Sequence, residues 1–447
     1  MTGPPDRKID LDSAILFVLI ALLPLIFRAA PIAVLGTYFG TKVQLLEVAF
    51  AILFPVWIVA HLARRDLSLI LPPKSIFFLG FAAVSLVSAL FSADPRHALF
   101  DVAGFLYLFF LFFFFYHLLQ DRRHVLLFLR WFLFVSLVIV LIGLAGYSLY
   151  RFFGVYNFAV EVYHGYLGME LVRPCSTFYT PNYYVIYLGF SAAVALVLMK
   201  IDHKRWVKGI ALATLILIAI TALTGFFRGS FVVWGVLFFG LGRFGRTRFT
   251  TALRGTVLVV FLLFAALFFL QGYMNLSPVK IYHDKAAERL SISLSTEESV
   301  YFNLHRTALR IFLDRPALGV GPGMYNAYMT RPEYGFDFKA YPWPKEAPLD
   351  PHSTYLGYAA ETGIIGLFFL VLFFVGIISA FRRLSLASDP PGRELGSLFL
   401  VYMSLLMIYA VFIDIVTIRL LYFMYALGLS LLGETAAPEE GRPAKRR

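Results

Sequence analysis

The residues best suited to chemistry in this sequence are one histidine and a scatter of arginines set among long apolar runs. His352 stands in DPHSTYLGYAAETGIIG (350–366), on a polar turn before a helix start at Ser353 or Thr354, whose hydroxyls suit an N-cap. Nothing in burying an apolar span requires an imidazole at its mouth. Two readings fit: a proton acceptor at the membrane edge, or an interfacial polar residue. Arg228 in TGFFRGSF falls inside the outer end of an apolar run. Its planar, permanently charged fork suits a phosphate in an outward cavity, and it equally suits snorkelling to head groups. Glu361 lies about 13 Å along its helix from His352, where a buried carboxylate needs a cation, a proton or a hydrogen-bond network, or else serves packing alone.

Further cations follow in the longest polar segment. Arg289 sits in AERLS, while Arg306 and Arg310 in LHRTALRIFLDRP share a helix face at i, i+4 spacing. An earlier tract, RPCSTFYTPNYYVIYLG, puts Arg173 and Asn182 near a span start. Either suits a sugar or a pyrophosphate, and Asn182 also suits a plain N-cap. The glycines of DRPALGVGPGMYN follow no strand and open no phosphate-binding helix, which argues for a rigid turn over a nucleotide loop. His283, His305 and His352 have no metal-ligand spacing and no carboxylate cluster accompanies them, so neither a metal nor a cofactor is expected. No paired-acid glycosidase signature is evident from spacing.

These residues need a scaffold, and composition defines it. The chain has 447 residues, 60% hydrophobic, 17% aromatic and 15% charged, a balance no stack of soluble domains shows. It reads as an all-α, polytopic membrane protein forming one integral domain over 1–447. Twelve runs are long enough to cross the hydrocarbon: 13–34, 43–62, 75–93, 97–119, 125–149, 182–199, 206–224, 226–242, 252–271, 354–381, 396–414 and 416–433. An even number puts both termini on one side. Arg64, Arg65, Lys74, Arg122, Arg123, Lys200, Lys204, Arg205, Arg243, Arg382 and Arg383, with basic residues at both chain ends, fall on that side, which makes it cytoplasmic. The net charge of +12 is thus a topology signal rather than a nucleic-acid footprint. No cleavable signal peptide is apparent, and the lone Cys175 forms no internal disulfide.

Two long segments remain on the opposite face, 151–181 and the connection between the ninth and tenth spans. The second, 272–353, reads as a small cap over the outer mouth of the bundle, with helix-like stretches at 286–295 and 298–314 and a turn-rich tract from 316 to 351. Gly225 marks a tight outer turn between the seventh and eighth spans. The fourth span, rich in phenylalanine from 105 to 115, suits the wall of a groove for a lipid tail.

The tract 173–189, TGFFRGSF, DRPALGVGPGMYN and DPHSTYLGYAAETGIIG, in this order and with these gaps, resemble the O-antigen ligase and O-antigen polymerase superfamily of bacterial inner-membrane glycosyltransferases. The resemblance spans about 170–380. It implies a polytopic helical fold, a site facing the periplasm, no metal requirement, and donors consisting of glycans on undecaprenyl diphosphate. Arg228 matches the family's functional arginine and His352 its histidine. The second essential arginine usually precedes a Trp-x-x-Ala-Leu-like helix. Here Tyr301 occupies its slot and His305 that of the tryptophan, so Arg306 or Arg289 takes over. Ser176 stands where a glycine is common.

The reaction so implied is inverting glycosyl transfer from undecaprenyl diphosphate. His352 would take the acceptor proton while Arg228, with Arg306 or Arg289, would stabilise the diphosphate. Arg173, Asn182, Arg310 and Glu361 would contact substrate. Transfer to a lipid A-core hydroxyl and extension of a lipid-linked glycan are the two neighbouring outcomes. A lipid-linked sugar transporter would call for broken midplane helices and an internal repeat, and neither is evident. Transfer to protein is a further outcome, one that usually comes with extra sequence after the last span.

Overall fold

The computed structural model describes residues 10–26, 44–67, 69–166, 169–225, 227, 229–244, 247–273, 275–284, 287–295, 299–336 and 349–436. Fourteen α-helices and two hairpins run in the order α1 (Leu11–Leu22), α2 (Leu45–Arg64), α3 (Ser75–Leu90), α4 (Pro95–Leu118), α5 (Arg122–Phe153), β1 (Val160–Tyr166), β2 (Met169–Pro174), α6 (Pro181–Ile201), α7 (Arg205–Thr224), α8 (Ser230–Leu241), α9 (Arg248–Tyr273), β3 (Asn275–Asp284), β4 (Ala287–Ser295), α10 (Val300–Asp314), α11 (Tyr325–Met329), α12 (Thr354–Ser385), α13 (Pro390–Tyr409) and α14 (Arg419–Ala436). Among the described residues, α2, α4, α5, α6, α7, α9 and α12 are long and apolar enough to cross a membrane, and α1, α3, α8 and α14 are shorter apolar helices. The chain is a mostly helical, polytopic membrane protein.

Helix ends follow their capping chemistry. Asp10, Asp94, Asp121 and Asp389 each accept backbone N–H groups at the start of α1, α4, α5 and α13, and Pro95, Pro181 and Pro390 open their helices with the missing N–H where no partner is needed. α6 lies at the centre, packed on α5, α7, α8 and α13, and nearly all its side chains are buried. α14 packs along α4, where Phe112 stacks on Tyr425 and Phe115 meets Phe423 edge-on. Most of the fourth span's phenylalanines are therefore spent on the protein core, while Phe110 faces outward and Phe105 lines the cavity described below.

Three expectations need correction. The all-helical reading is wrong at two places. Residues 160–174 form an antiparallel hairpin pairing Glu161 with Arg173, and 275–295 form another pairing Ile281 with Arg289. The stretch read as helix-like from 286 is strand because Leu290, Ile292 and Leu294 alternate with serines at period two. The tenth span is not one helix either. Gly363 has φ 68° and ψ −171° and divides α12 into a short mouth helix and the rod below. Pro316 accepts from the N–H of Ile364 at 2.8 Å, while Val320 and Gly321 donate to Ala360 and Glu361 at 3.0 and 2.9 Å. The 316–321 tract thus takes over the bonds the helix gives up. A Cβ at Gly363 would collide with the Ala317 carbonyl, so only glycine fits both the backbone and the space. Finally, α8 begins at Ser230 rather than 226.

Two ends of the bundle are distinct. At one, the basic helix ends meet acids: Arg243 with Glu394 at 2.6 Å, Lys200 with the same carboxylate at 3.6 Å, and Arg122 with Asp389 at 4.0 Å. Arg130, unexplained by its place within a span, is bound there by Asp202 at 2.5 and 3.1 Å. At the other end α10, α11 and the 316–336 turns form a second small core with Ala89, Ala98, Val102 and Ala360. This core seats the cap on α3, α4 and the mouth helix.

Candidate functional site

The turn 350–354 is built by its own residues. The Asp350 carboxylate accepts the His352 backbone N–H at 2.8 Å, a local Asx-type bond that holds His352 at φ 46°. Left-handed backbone at a non-glycine residue costs on the order of 1–3 kcal/mol and calls for support from its surroundings. That support is present. Ser353 caps the mouth helix through Leu356 N–H, and Thr354 is stitched to the α13–α14 connection. Its N–H donates to Ala410 and its hydroxyl to Ile413, and it accepts from Ile415 N–H.

The same Asp350 oxygen lies 3.0 Å from His352 Nδ1. Nδ1–H donating to Asp350 leaves the Nε2 lone pair available, the arrangement a general base needs. Tyr301 meets the imidazole edge-to-face at 5.3 Å, and His305 Nε2 donates to the His352 carbonyl at 3.3 Å. Tyr301 and His305, two of the positions at which the sequence departs from the pattern it resembles, thus both land on His352. The ring keeps 29% exposure and Asp350 59%, so the pair sits on a wet rim. Partial burial works to raise Asp350, but the charge and hydrogen bonds of His352 outweigh it and hold the carboxyl below its ordinary value.

Beneath this turn lies a cavity of about 410 Å³, walled by Asp350, Pro351 and Ser353, by Tyr358 and Glu361 of the mouth helix, by Asp101, Phe105 and Tyr107 of α4, and by Tyr183, Asp414, Thr417 and Arg419. Glu361 accepts the Tyr325 N–H at 3.2 Å, so it binds the cap at the start of α11 and orients no arginine in the described structure. Arg419 is held by Glu47 of α2, which its Nε reaches at 2.8 Å.

The other sequence candidates distribute unevenly. Arg306 is exposed on α10 and is not among the cavity walls, and Arg310 donates to the Tyr334 carbonyl at 2.8 Å, tying α10 to the following turn. Arg173 sits in β2 opposite Glu161, well before the span it was expected to open. Asn182 is no N-cap, a position held by Thr180; it accepts from the Tyr409 hydroxyl at 2.9 Å. Tyr409 in turn packs against Gly229, bringing the α7–α8 connection beside Asn182. Arg228 in that connection lies outside the described residues, as does the Arg289 side chain, although β4 carries residue 289 opposite Ile281. Ser176, at a position where glycine is common, has φ 52° and bonds the Ile139 carbonyl at 2.7 Å, which accounts for a serine in glycine's conformation.

Sequence reasoning missed Asp350 as the histidine's partner, and Asp101, Glu47 and Arg419 altogether. The signal was there: each of the last three is a charge inside an apolar run, the criterion that drew attention to Arg228.

The helical membrane bundle thus holds a cavity with charged walls at one end, with a histidine paired to a carboxylate at its rim. Residues 212–371, from α7 through the Gly363 break, match the model of the O-antigen ligase family. Over this segment, somewhat more than a third of its length, the chain is similar to the O-antigen ligase superfamily. No curated protein matches it.

Proposed function

We propose that the protein is a bacterial inner-membrane O-antigen ligase, moving a glycan from undecaprenyl diphosphate to a hydroxyl of lipid A-core at the periplasmic face. The observation that carries this reading is the Asp350–His352 pair at the cavity rim, inside a segment that matches the ligase family. The acceptor O–H attacks the anomeric carbon, a new C–O bond forms with inversion, and the bond to the diphosphate breaks with its electron pair leaving on the phosphate oxygen. His352 Nε2 takes the proton, and Asp350 stabilises the imidazolium. Diphosphate is a good leaving group, so cations suffice at that end; Arg228, with Arg306 or Arg289, fills that role, and neither metal nor cofactor takes part. Arg173, Asn182, Arg310 and Glu361 complete the substrate-binding set, Glu361 by holding the cap.

In this reading α1 to α9 and α12 to α14 give twelve spans, the paired basic end faces the cytoplasm with both termini, and 272–353 caps the periplasmic mouth. Polymerisation of the lipid-linked glycan is the alternative, with a second donor as acceptor. Purified protein given undecaprenyl-diphosphate glycan and either lipid A-core or a second donor decides. Product on lipid A-core supports the ligase, lengthening supports the polymerase, and no product with either sinks both. Arg228→Ala with full activity would remove that arginine from the mechanism.

A further inference from the structure

Among the described residues four carboxylates wall the cavity, and three are satisfied by protein donors. Asp350 takes the ring and backbone of His352, Glu361 takes the Tyr325 N–H, and Asp414 accepts from Val416 N–H at 2.9 Å and the Thr417 hydroxyl at 3.1 Å. Asp101 differs. Among the described residues no N–H or O–H donates to its carboxylate; it is half-buried, with the His97 imidazole one turn before it facing the same Gly323. The α4 backbone carries it against Gly323 of the cap, where any side chain would strike its carboxylate. An acceptor with unused lone pairs in a half-enclosed space is costly unless a ligand or water supplies donors.

The surroundings narrow what that ligand is. Phe105, Tyr107, Tyr183 and Tyr358 line the same cavity, giving apolar faces beside acceptors. The cation among the lining residues, Arg419, is committed to Glu47 through two of its nitrogens. The walls therefore favour a molecule with flat C–H faces and several hydroxyl or ammonium donors, and repel one carrying its own negative charge.

We infer that Asp101 is a specificity residue of this cavity, accepting hydrogen bonds from hydroxyl or amino groups of a glycan unit that bears no anionic substituent. This rests on the glycosyl-transfer reading and names the sugar class its site takes. Charge-assisted bonds of this kind discriminate by about tenfold or more, because loss of the donor leaves the half-buried carboxylate unmatched.

The test uses full-length protein in nanodiscs and saturation-transfer NMR with three disaccharides: neutral cellobiose, cationic diglucosamine and anionic digalacturonate. Cellobiose and diglucosamine should show transfer at concentrations about tenfold below those digalacturonate needs. Asp101→Asn should compress that ratio toward one with an unchanged melting curve, and Asp101→Glu should retain it. Equal binding of all three sugars by the wild type, binding of none, or a ratio untouched by Asp101→Asn would each overturn the proposal. The wild-type ratio decides even if a variant unfolds. Binding needs no turnover, so a protein that selects the uncharged disaccharide yet transfers no glycan to either acceptor overturns the glycosyl-transfer reading alone.

Discussion

Charges enter the two ends of this bundle under different rules. At the basic end, Asp202 has a fully buried side chain closed by Arg130 from two directions, Glu394 is shared by Arg243 and Lys200, and His61 sits between Asp12 and Asp66 at 3.3 and 2.8 Å. Under the cap, carboxylates from two helices and two connections face a common space, and one of them has no hydrogen-bond donor among the described residues. Closed pairs are what a fold needs to bring a charge into an apolar interior. Acids gathered around a void bond the fold only in part, and the acceptor sites left over suit something in the void. A charge inside a span is thus a weak sign of function until its partner is known.

Substitutions sharpen that contrast. The largest effect falls at the rim: His352→Ala should lower transfer by roughly 10²–10⁴-fold, the usual contribution of a general base, with unchanged thermal unfolding. Activity within a few-fold of wild type would remove the base from the mechanism. At the basic end Arg130→Ala should do the opposite, leaving the Asp202 carboxylate without its guanidinium and held only from the Lys204 side, at a cost of up to about 3–5 kcal/mol in unfolding, while residual folded protein keeps its turnover. Gly363→Ala should destabilise by more than about 1 kcal/mol through strained backbone and collision with Ala317, measured by melting of the cap relative to the bundle. Asp350→Asn should cost about tenfold in kcat by freeing the imidazole's orientation, and a change confined to KM would argue against an orienting role. The smallest effect concerns pH. Asp414, in the connection outside the helices, is pushed up to about 6, chiefly by burial and also by Asp350, against the hydrogen bonds it accepts. The folded state therefore holds this proton more tightly than the unfolded one, a contribution present below about pH 4 and lost as pH rises through 6. Relative to Asp414→Asn, the wild type should lose stability over that interval, and parallel curves would remove Asp414 as the cause.

The helices were legible in the sequence because unbroken apolar runs have few other solutions, and residues 122–153 or 181–201 fold within a few positions of their forecast. His352 was legible because no packing need explains it. The hairpin at 275–295 was less so, since its alternation is short and set in polar sequence that reads equally as helix surface. For Arg310 the i, i+4 spacing reports a face shared with Arg306 and says nothing of the Tyr334 carbonyl it reaches across the turn. The Asp350–His352 bond spans two residues and was visible in principle; the meeting of Asp101 with Gly323 and Glu361 joins segments more than 200 positions apart and depends on how the cap sits.

The glycine break in α12 gives the molecule a mechanical seam. What reads as one 32-residue rod is two pieces, and the upper one is fastened by main-chain bonds to 316–321 and by Thr354 to the α13–α14 connection. A load applied to the cap is passed to the piece carrying Glu361 and abutting His352, and only weakly to the rod in the lipid below. The rim and its roof thus share one chassis, separate from the pillars that hold it up.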